Sequence, residues 1–157
     1  MDNNYILRKM RYALDYNDFQ MMEVFALDDF KIDRPTLCKL LRKDEDEGYM
    51  RCDDATVARF LNGLINQRRG KKEPQTGGIK RYETKLSNNT ILRKFKIAFE
   101  LNDQGMIAVF EKANFAMSKP QLSALFRRKD HRNYDDCSDH YLRSFIKGLT
   151  ITLNTNT

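Results

Sequence analysis

Asn3-Asn4-Tyr5-Ile6-Leu7-Arg8-Lys9 is repeated as Asn88-Asn89-Thr90-Ile91-Leu92-Arg93-Lys94, and the correspondence runs without a gap, 85 residues apart, to Gly63-Leu64 against Gly148-Leu149. Between residues 3–64 and 88–149, 23 of 62 positions are identical, among them Pro35/Pro120, Arg42/Arg127, Tyr49/Tyr134, Cys52/Cys137, Phe60/Phe145 and Gly63/Gly148. One structural unit is therefore written twice, which fixes the architecture before any local reading is made. Every local assignment can also be checked in the second copy.

Each copy reads as four short helices. The first follows Asn3/Asn4 or Asn88/Asn89 as caps and carries the helical stripe Ile6, Leu7, Met10, Ala13, Leu14, mirrored by Ile91, Leu92, Phe95, Ala98, Phe99. The second begins near Asn17-Asp18 or Asn102-Asp103 and buries Met21, Val24 and Phe25, or Met106, Val109 and Phe110. Pro35 and Pro120 mark the first turn of the third, where a missing N–H has no intrahelical partner, with Asp33 and Ser118 as N-caps. Ser118 with Gln121 fits a capping box. The fourth is capped by Asp53 or Ser138, and Val57, Phe60, Leu61, Leu64 and Ile65 give it one wide apolar face. Gly63 and Gly148 fall within this helix, where glycine costs roughly 1 kcal/mol relative to alanine, and they predict close helix–helix contact.

The expected division is residues 3–67 for copy one, 68–87 for a basic flexible connector and 88–150 for copy two, with a fraying tail from Thr150. A four-helix unit of this size is marginal alone, so the copies are expected to pack on each other. The fold class that follows is all-α: two tandem copies of a four-helix repeat packed about a pseudo-twofold axis, like a covalently joined dimer.

The 157 residues are 41% apolar, ample for a folded core. No apolar run approaches the roughly 20 residues needed to cross a bilayer, and Met1-Asp2-Asn3-Asn4 lacks the regions of a signal peptide, so a cytoplasmic protein is expected. Cys38, Cys52 and Cys137 form no C-x-x-C pair and suit reduced, buried thiols.

The net charge of +6 is unevenly placed. Residues 1–67 carry a net −3, residues 68–85 a net +5 and residues 86–157 a net +4. Positive potential is thus concentrated on the connector and the second copy, where it raises the on-rate of an anionic partner. The candidate anion-binding residues are Arg68, Arg69, Lys71, Lys72, Lys80, Arg81, Arg127, Arg128 and Lys129, with Tyr82 available for stacking. The copies differ most sharply just after the third helix, where Asp44-Glu45-Asp46-Glu47 faces Lys129-Asp130-His131-Arg132.

Other chemistries find little support. Asp44-Glu45-Asp46-Glu47-Gly48 fails the EF-hand pattern, because glycine arrives one position early and Ala55 stands where the bidentate glutamate belongs. His131, Cys137 and His140 lack the spacing of a closed zinc site, and only the cysteine recurs in copy one. No phosphate-cradling glycine loop or nucleophile signature is present, so no catalytic residue, metal or cofactor is expected. The recurring Arg42/Arg127, Asp54/Asp139 and Tyr49/Tyr134 are read as scaffold, for instance an Arg to Asp bridge between the third and fourth helices. The second and third helices of copy two loosely match a helix-turn-helix with Leu122–Lys129 as a basic recognition helix; ordinary packing is favoured.

Asn3-Asn4 through Arg11, Leu41-Arg42-Lys43-Asp44-Glu45-Asp46-Glu47-Gly48-Tyr49 with Cys52, Phe60–Ile65 with Arg68-Arg69-Gly70, and Asp130-His131 with Asn133-Tyr134 and Cys137 together resemble the bacterial YehS-like proteins, over nearly the whole chain. That family is a duplicated domain of unknown function; the resemblance implies a small bacterial cytoplasmic protein and supplies no catalytic residues. The function expected is a non-catalytic helical binding module for an anionic partner such as nucleic acid or an acidic protein surface. The alternative is a protein–protein adaptor using the groove between the repeats.

Overall fold

The computed structural model describes residues 1–70 and 85–155. Eight helices fill these residues: α1 (Asn3–Leu14), α2 (Asp18–Ala26), α3 (Arg34–Leu40), α4 (Asp54–Arg69), α5 (Asn88–Ala98), α6 (Asp103–Lys112), α7 (Lys119–Phe126) and α8 (Asp139–Thr155). Helices α1 to α4 form copy one and α5 to α8 copy two, so the all-α tandem repeat is what the chain adopts. Within each copy the second helix packs on the third and fourth. Between copies the partners are exchanged: α4 lies against α5, and α8 against α1. This reciprocity is that of a pseudo-twofold dimer joined in one chain.

A single apolar core runs through both copies. Phe25 and Phe60 meet at 5.4 Å between ring centroids, and their counterparts Phe110 and Phe145 also meet at 5.4 Å. Phe95, opposite Met10 in the repeat, adds a third ring 5.9 Å from Phe145. Sharing one core spares either 62-residue half from stabilising itself alone.

Most helix starts lie where local chemistry puts them. Asn17, Asp33, Asp53 and Ser118 each accept a backbone N–H from the third residue of their helix, with complete capping boxes at Asn17 and Ser118. These bonds hold the carboxyls of Asp33 and Asp53 below the usual carboxylate range, through Thr36 and Thr56 respectively.

Asn3/Asn4 and Asn88/Asn89 do something else. The caps of α1 and α5 are Asp2 and Ser87, and the paired asparagines stand inside the first turn and bond across the copy. The Asn4 amide donates to the carbonyls of Leu40 (2.8 Å) and Met50 (2.7 Å), and its oxygen accepts from Cys52 N at 2.9 Å. Asn89 repeats this with Leu125, Asp135 and Cys137 N. Each asparagine therefore ties the end of its third helix to the approach of its fourth. Asn3 and Asn88 donate to Asp54 and Asp139, at 2.8 Å in both copies.

The expected Arg to Asp bridge is replaced by these bonds. Asp54 and Asp139 are taken by asparagines, while Arg42 donates to the Glu47 carbonyl within its own loop. The other Asp54 oxygen accepts from Leu86 N at 3.0 Å, and Met1 N stands 3.6 Å from Asp139 Oδ2. Leu86 and Met1 occupy the same repeat position, so the exchange between copies is pinned twice.

Two helices outrun the sequence expectation. Arg68 and Arg69 belong to the last turn of α4, and α8 continues through Thr150 to Thr155. Threonine is a weak helix former, but Leu153 packs against the core, and the hydroxyls of Thr150, Thr152 and Thr155 bond carbonyls one turn back.

The two mid-helix glycines are contact points, as read. A Cβ on Gly63 would collide with the Val24 carbonyl, and one on Gly148 with the Val109 carbonyl. Gly63→Ala or Gly148→Ala is expected to lose about 2 kcal/mol net, because overpacking against backbone outweighs the helical gain. A fall in Tm of roughly 4–8 °C in thermal unfolding checks this. Asn4 is fully buried whereas Asn89 is partly exposed. Asn4→Ala should therefore cost about 3 kcal/mol, and clearly more than Asn89→Ala, in denaturant titration, since it strands the buried Leu40 carbonyl and Cys52 N–H as well as the part-buried Met50 carbonyl.

Candidate functional site

Helix α5 ends at a left-handed residue, Glu100 at φ 52°, and the chain folds back so that Leu101 N bonds the Lys96 carbonyl at 3.0 Å. This closure sets Leu101 beside the outward residues Arg93, Lys96 and Ile97. The exchanged packing brings the last turn of α4 from the other copy to the same place. Together with Phe126, the final residue of α7, these elements enclose an open groove of about 550 Å³, lined by Arg69, Arg93, Lys96, Ile97, Glu100, Leu101, Asn102 and Phe126.

Phe126 organises its cations. Lys96 Nζ lies 4.8 Å and the Arg93 guanidinium 6.0 Å from the ring centroid, and Arg93 donates to the Phe126 carbonyl at 2.9 Å. Arg69 reaches Glu100 at 3.8 Å, and Lys96 reaches Asp103 at 3.5 Å. Both ion pairs are substantially exposed, so they are weak and leave the cations available. From Phe126 the chain leads straight into Arg127, Arg128 and Lys129, all exposed.

The sequence candidates thus fall into three groups. Arg69 lines the groove, and the exposed Arg127–Lys129 run follows its lining residue Phe126 directly in the chain. Arg68 sits beside it, its guanidinium 4.4 Å above Phe99 of the other copy. Lys71, Lys72, Lys80, Arg81 and Tyr82 lie outside the described residues. Arg93 and Lys96 were missed, although Arg8/Arg93 and Arg11/Lys96 are cationic in both copies and lie off the apolar stripe.

The pseudo-twofold produces this groove twice. Its counterpart, about 520 Å³, is lined by Arg8, Arg11, Tyr12, Asp15, Tyr16 and Asn154, each the repeat partner of a residue in the first groove. Asp15 has the same left-handed turn, at φ 54°. Three partners differ in kind: Asn154 replaces Arg69, Tyr12 replaces Ile97 and Tyr16 replaces Leu101. Tyr12 and Ile97 are 71% and 39% exposed, two of the few large apolar side chains left open to solvent.

Charge separates the grooves further. Arg11 is drawn to Asp18 at 3.0 Å, and the chain beyond runs Arg42-Lys43-Asp44-Glu45-Asp46-Glu47. Take Asn154, Arg8, Arg11, Asp15, Asp18 and residues 42–47 together, with histidine neutral: the net charge is −2. The matching set, Arg69, Arg93, Lys96, Glu100, Asp103 and residues 127–132, carries +4.

Two of the three cysteines are buried, whereas both histidines are exposed. Burial pushes the Cys52 and Cys137 thiols up to about 12. His131 Nδ1 accepts from Asn133 N, and His140 stands 5.5 Å from Phe115. Among the described residues no three His, Cys, Asp or Glu side chains gather as metal ligands. Nor does α7 make a recognition helix: it stops at Phe126, and Arg127 is extended (φ −74°, ψ 163°), so the basic run lies beyond the helix.

Comparison with known proteins agrees with the duplication. The family described as "Protein of unknown function (DUF1456)" matches residues 3–70 and again residues 88–153. The chain belongs to this family. It is similar to the uncharacterized protein YehS of Escherichia coli (strain K12), with 36% identity over 149 residues covering 95% of this chain and 94% of that protein. No solved structure matches it.

The two buried cysteines give a test of the local environment. In the unfolded chain these thiols ionise near 9.0, in the folded protein near 12. The folded state then keeps protons that the unfolded state sheds, so their contribution is complete below pH 9 and is lost as pH climbs toward 12. Stability measured across pH 8 to 11 should decline accordingly. Alkylation of the native protein followed by mass spectrometry should mark Cys38, which is partly exposed, before Cys52 or Cys137.

Proposed function

We propose that the chain is a non-catalytic, bacterial cytoplasmic binding module whose Phe126 groove contacts an anionic partner, with nucleic acid the best fit. The observation that carries this reading is the convergence of Arg69 from α4 with Arg93 and Lys96 from α5 on one groove, whose lining residue Phe126 is followed in the chain by the exposed Arg127, Arg128 and Lys129. Three cations line the groove and three more follow Phe126 in the chain, the groove's ion pairs are exposed, and the matching set in the other copy is net −2 against +4. A polyanion interacts with such an array mainly through phosphate contacts and counterion release. Among the described residues, no helix is long and apolar enough to cross a membrane.

A second reading, a protein–protein adaptor, is favoured at the other groove by Tyr12. A 71% exposed aromatic beside Tyr16 is a common anchor for a protein partner. Binding of a labelled oligonucleotide, followed by anisotropy over a salt series, separates the two. Affinity should fall linearly with log salt, and Lys96→Gln should lower the slope by about 1. Tyr12→Ser, in the counterpart groove, should leave the slope unchanged. Absence of binding at low salt removes the nucleic-acid reading and leaves the adaptor.

A further inference from the structure

The geometry points to an unpaired polynucleotide strand, rather than a duplex, as the occupant of the Phe126 groove; this rests on the nucleic-acid reading above.

Three observations converge. The first is shape. The cations line an open groove of about 550 Å³, whose rim a duplex, a rigid rod, can touch but whose interior only a flexible strand can follow. A duplex is gripped from outside or read by an element that protrudes into its major groove. Among the described residues α7 does not protrude as such an element: it ends at Phe126 before the basic run begins, and its residues Leu122 and Leu125 are buried in the core.

The second is the apolar wall. Ile97, 39% exposed, and Leu101 line the groove together with the cations. A phosphodiester backbone gains nothing from such a surface. The flat face of an unstacked base does, and it becomes available only when the strand is single.

The third is the spacing of charge around that wall. Arg69 donates to the Ile97 carbonyl at 3.4 Å besides reaching Glu100, so the phosphates are best placed along Arg93, Lys96 and the exposed Arg127–Lys129 run, with bases turned inward to Ile97. This is the division of labour of a single-strand site, in which a basic rim tracks the backbone and an apolar platform takes the bases.

The repeat supplies a designed variant. Position 97 is isoleucine in this groove and tyrosine at its counterpart, Tyr12, so the scaffold already carries an aromatic ring there. Ile97→Tyr should raise affinity for an unpaired strand by about fivefold or more, since a base stacks better on an aromatic face, and Ile97→Ser should lower it about threefold. Neither should alter affinity for heparin, a polyanion without bases.

The experiment measures binding of oligo-dT, oligo-rU, a DNA duplex of equal length and heparin to the full chain and both variants in about 0.1 M salt. Support is a preference of about tenfold for oligo-dT or oligo-rU over duplex, with the variants moving single-strand affinity in opposite directions and heparin unmoved. Equal or tighter duplex binding, or variants that shift heparin and single strand alike, overturns the inference while leaving the anion-binding reading in place. No binding to any of the four overturns both. Circular dichroism of the variants confirms the fold; should Ile97→Tyr unfold, the Ile97→Ser comparison of single strand with heparin decides alone.

Discussion

Asp54 stands at the head of α4 and accepts two bonds, one from Asn3 within its own copy and one from Leu86 at the head of the other. Asp139 occupies the same position in α8, held by Asn88 and faced by Met1, and the Asn88 amide keeps its carboxyl below the usual range. Each fourth helix is thereby fastened at its start to both halves at once. With the start fixed, the glycine contacts at Gly63 and Gly148 set how closely α4 and α8 approach α2 and α6. The far ends of the fourth helices must then fall across the first helices of the opposite copies. Lys94 adds a 2.7 Å bond to Asn62 along this seam. Both grooves exist only because of that crossing.

What could be read in the sequence follows the range of the interactions. The caps at Asp33, Asp53 and Ser118 and the apolar stripes are decided within a few residues, and both copies displayed them. The asparagine pairs look like caps for the same local reason. Their actual partners lie 36 to 51 residues away, a separation no helical periodicity reveals. The end of α8 was hidden by threonine, whose weak intrinsic preference is overridden once Leu153 packs and the hydroxyls bond back into the helix. Segment charge pointed to the connector and the second copy, and most of the connector residues it named lie outside the described residues. Arg93 and Lys96 were left out because their importance comes from Arg69 and Phe126, which reach them through the crossing of the copies.

The two grooves show how one fold carries two electrostatic characters. Asp15 and Glu100 close the backbone at nearly the same positive φ, and Arg8 and Arg93 each donate to a carbonyl just at or beyond the end of the third helix, Arg42 and Phe126, one repeat position apart. The buried framework is therefore shared. The differences gather at the rim, where Asn154 faces the role of Arg69 and residues 44–47 reverse the sign of residues 129–132. Rim residues touch little, so they change charge at small cost in stability.

In a homodimer every substitution arrives in duplicate, because one gene writes both subunits. Fusing the pair into a single chain breaks that bond between mutation and symmetry. Either half can acquire a new surface while its mate keeps the old one, and the seam between them, built from residues both halves retain, holds throughout. Such a chain can specialise its two faces independently, a freedom closed to any assembly of identical parts.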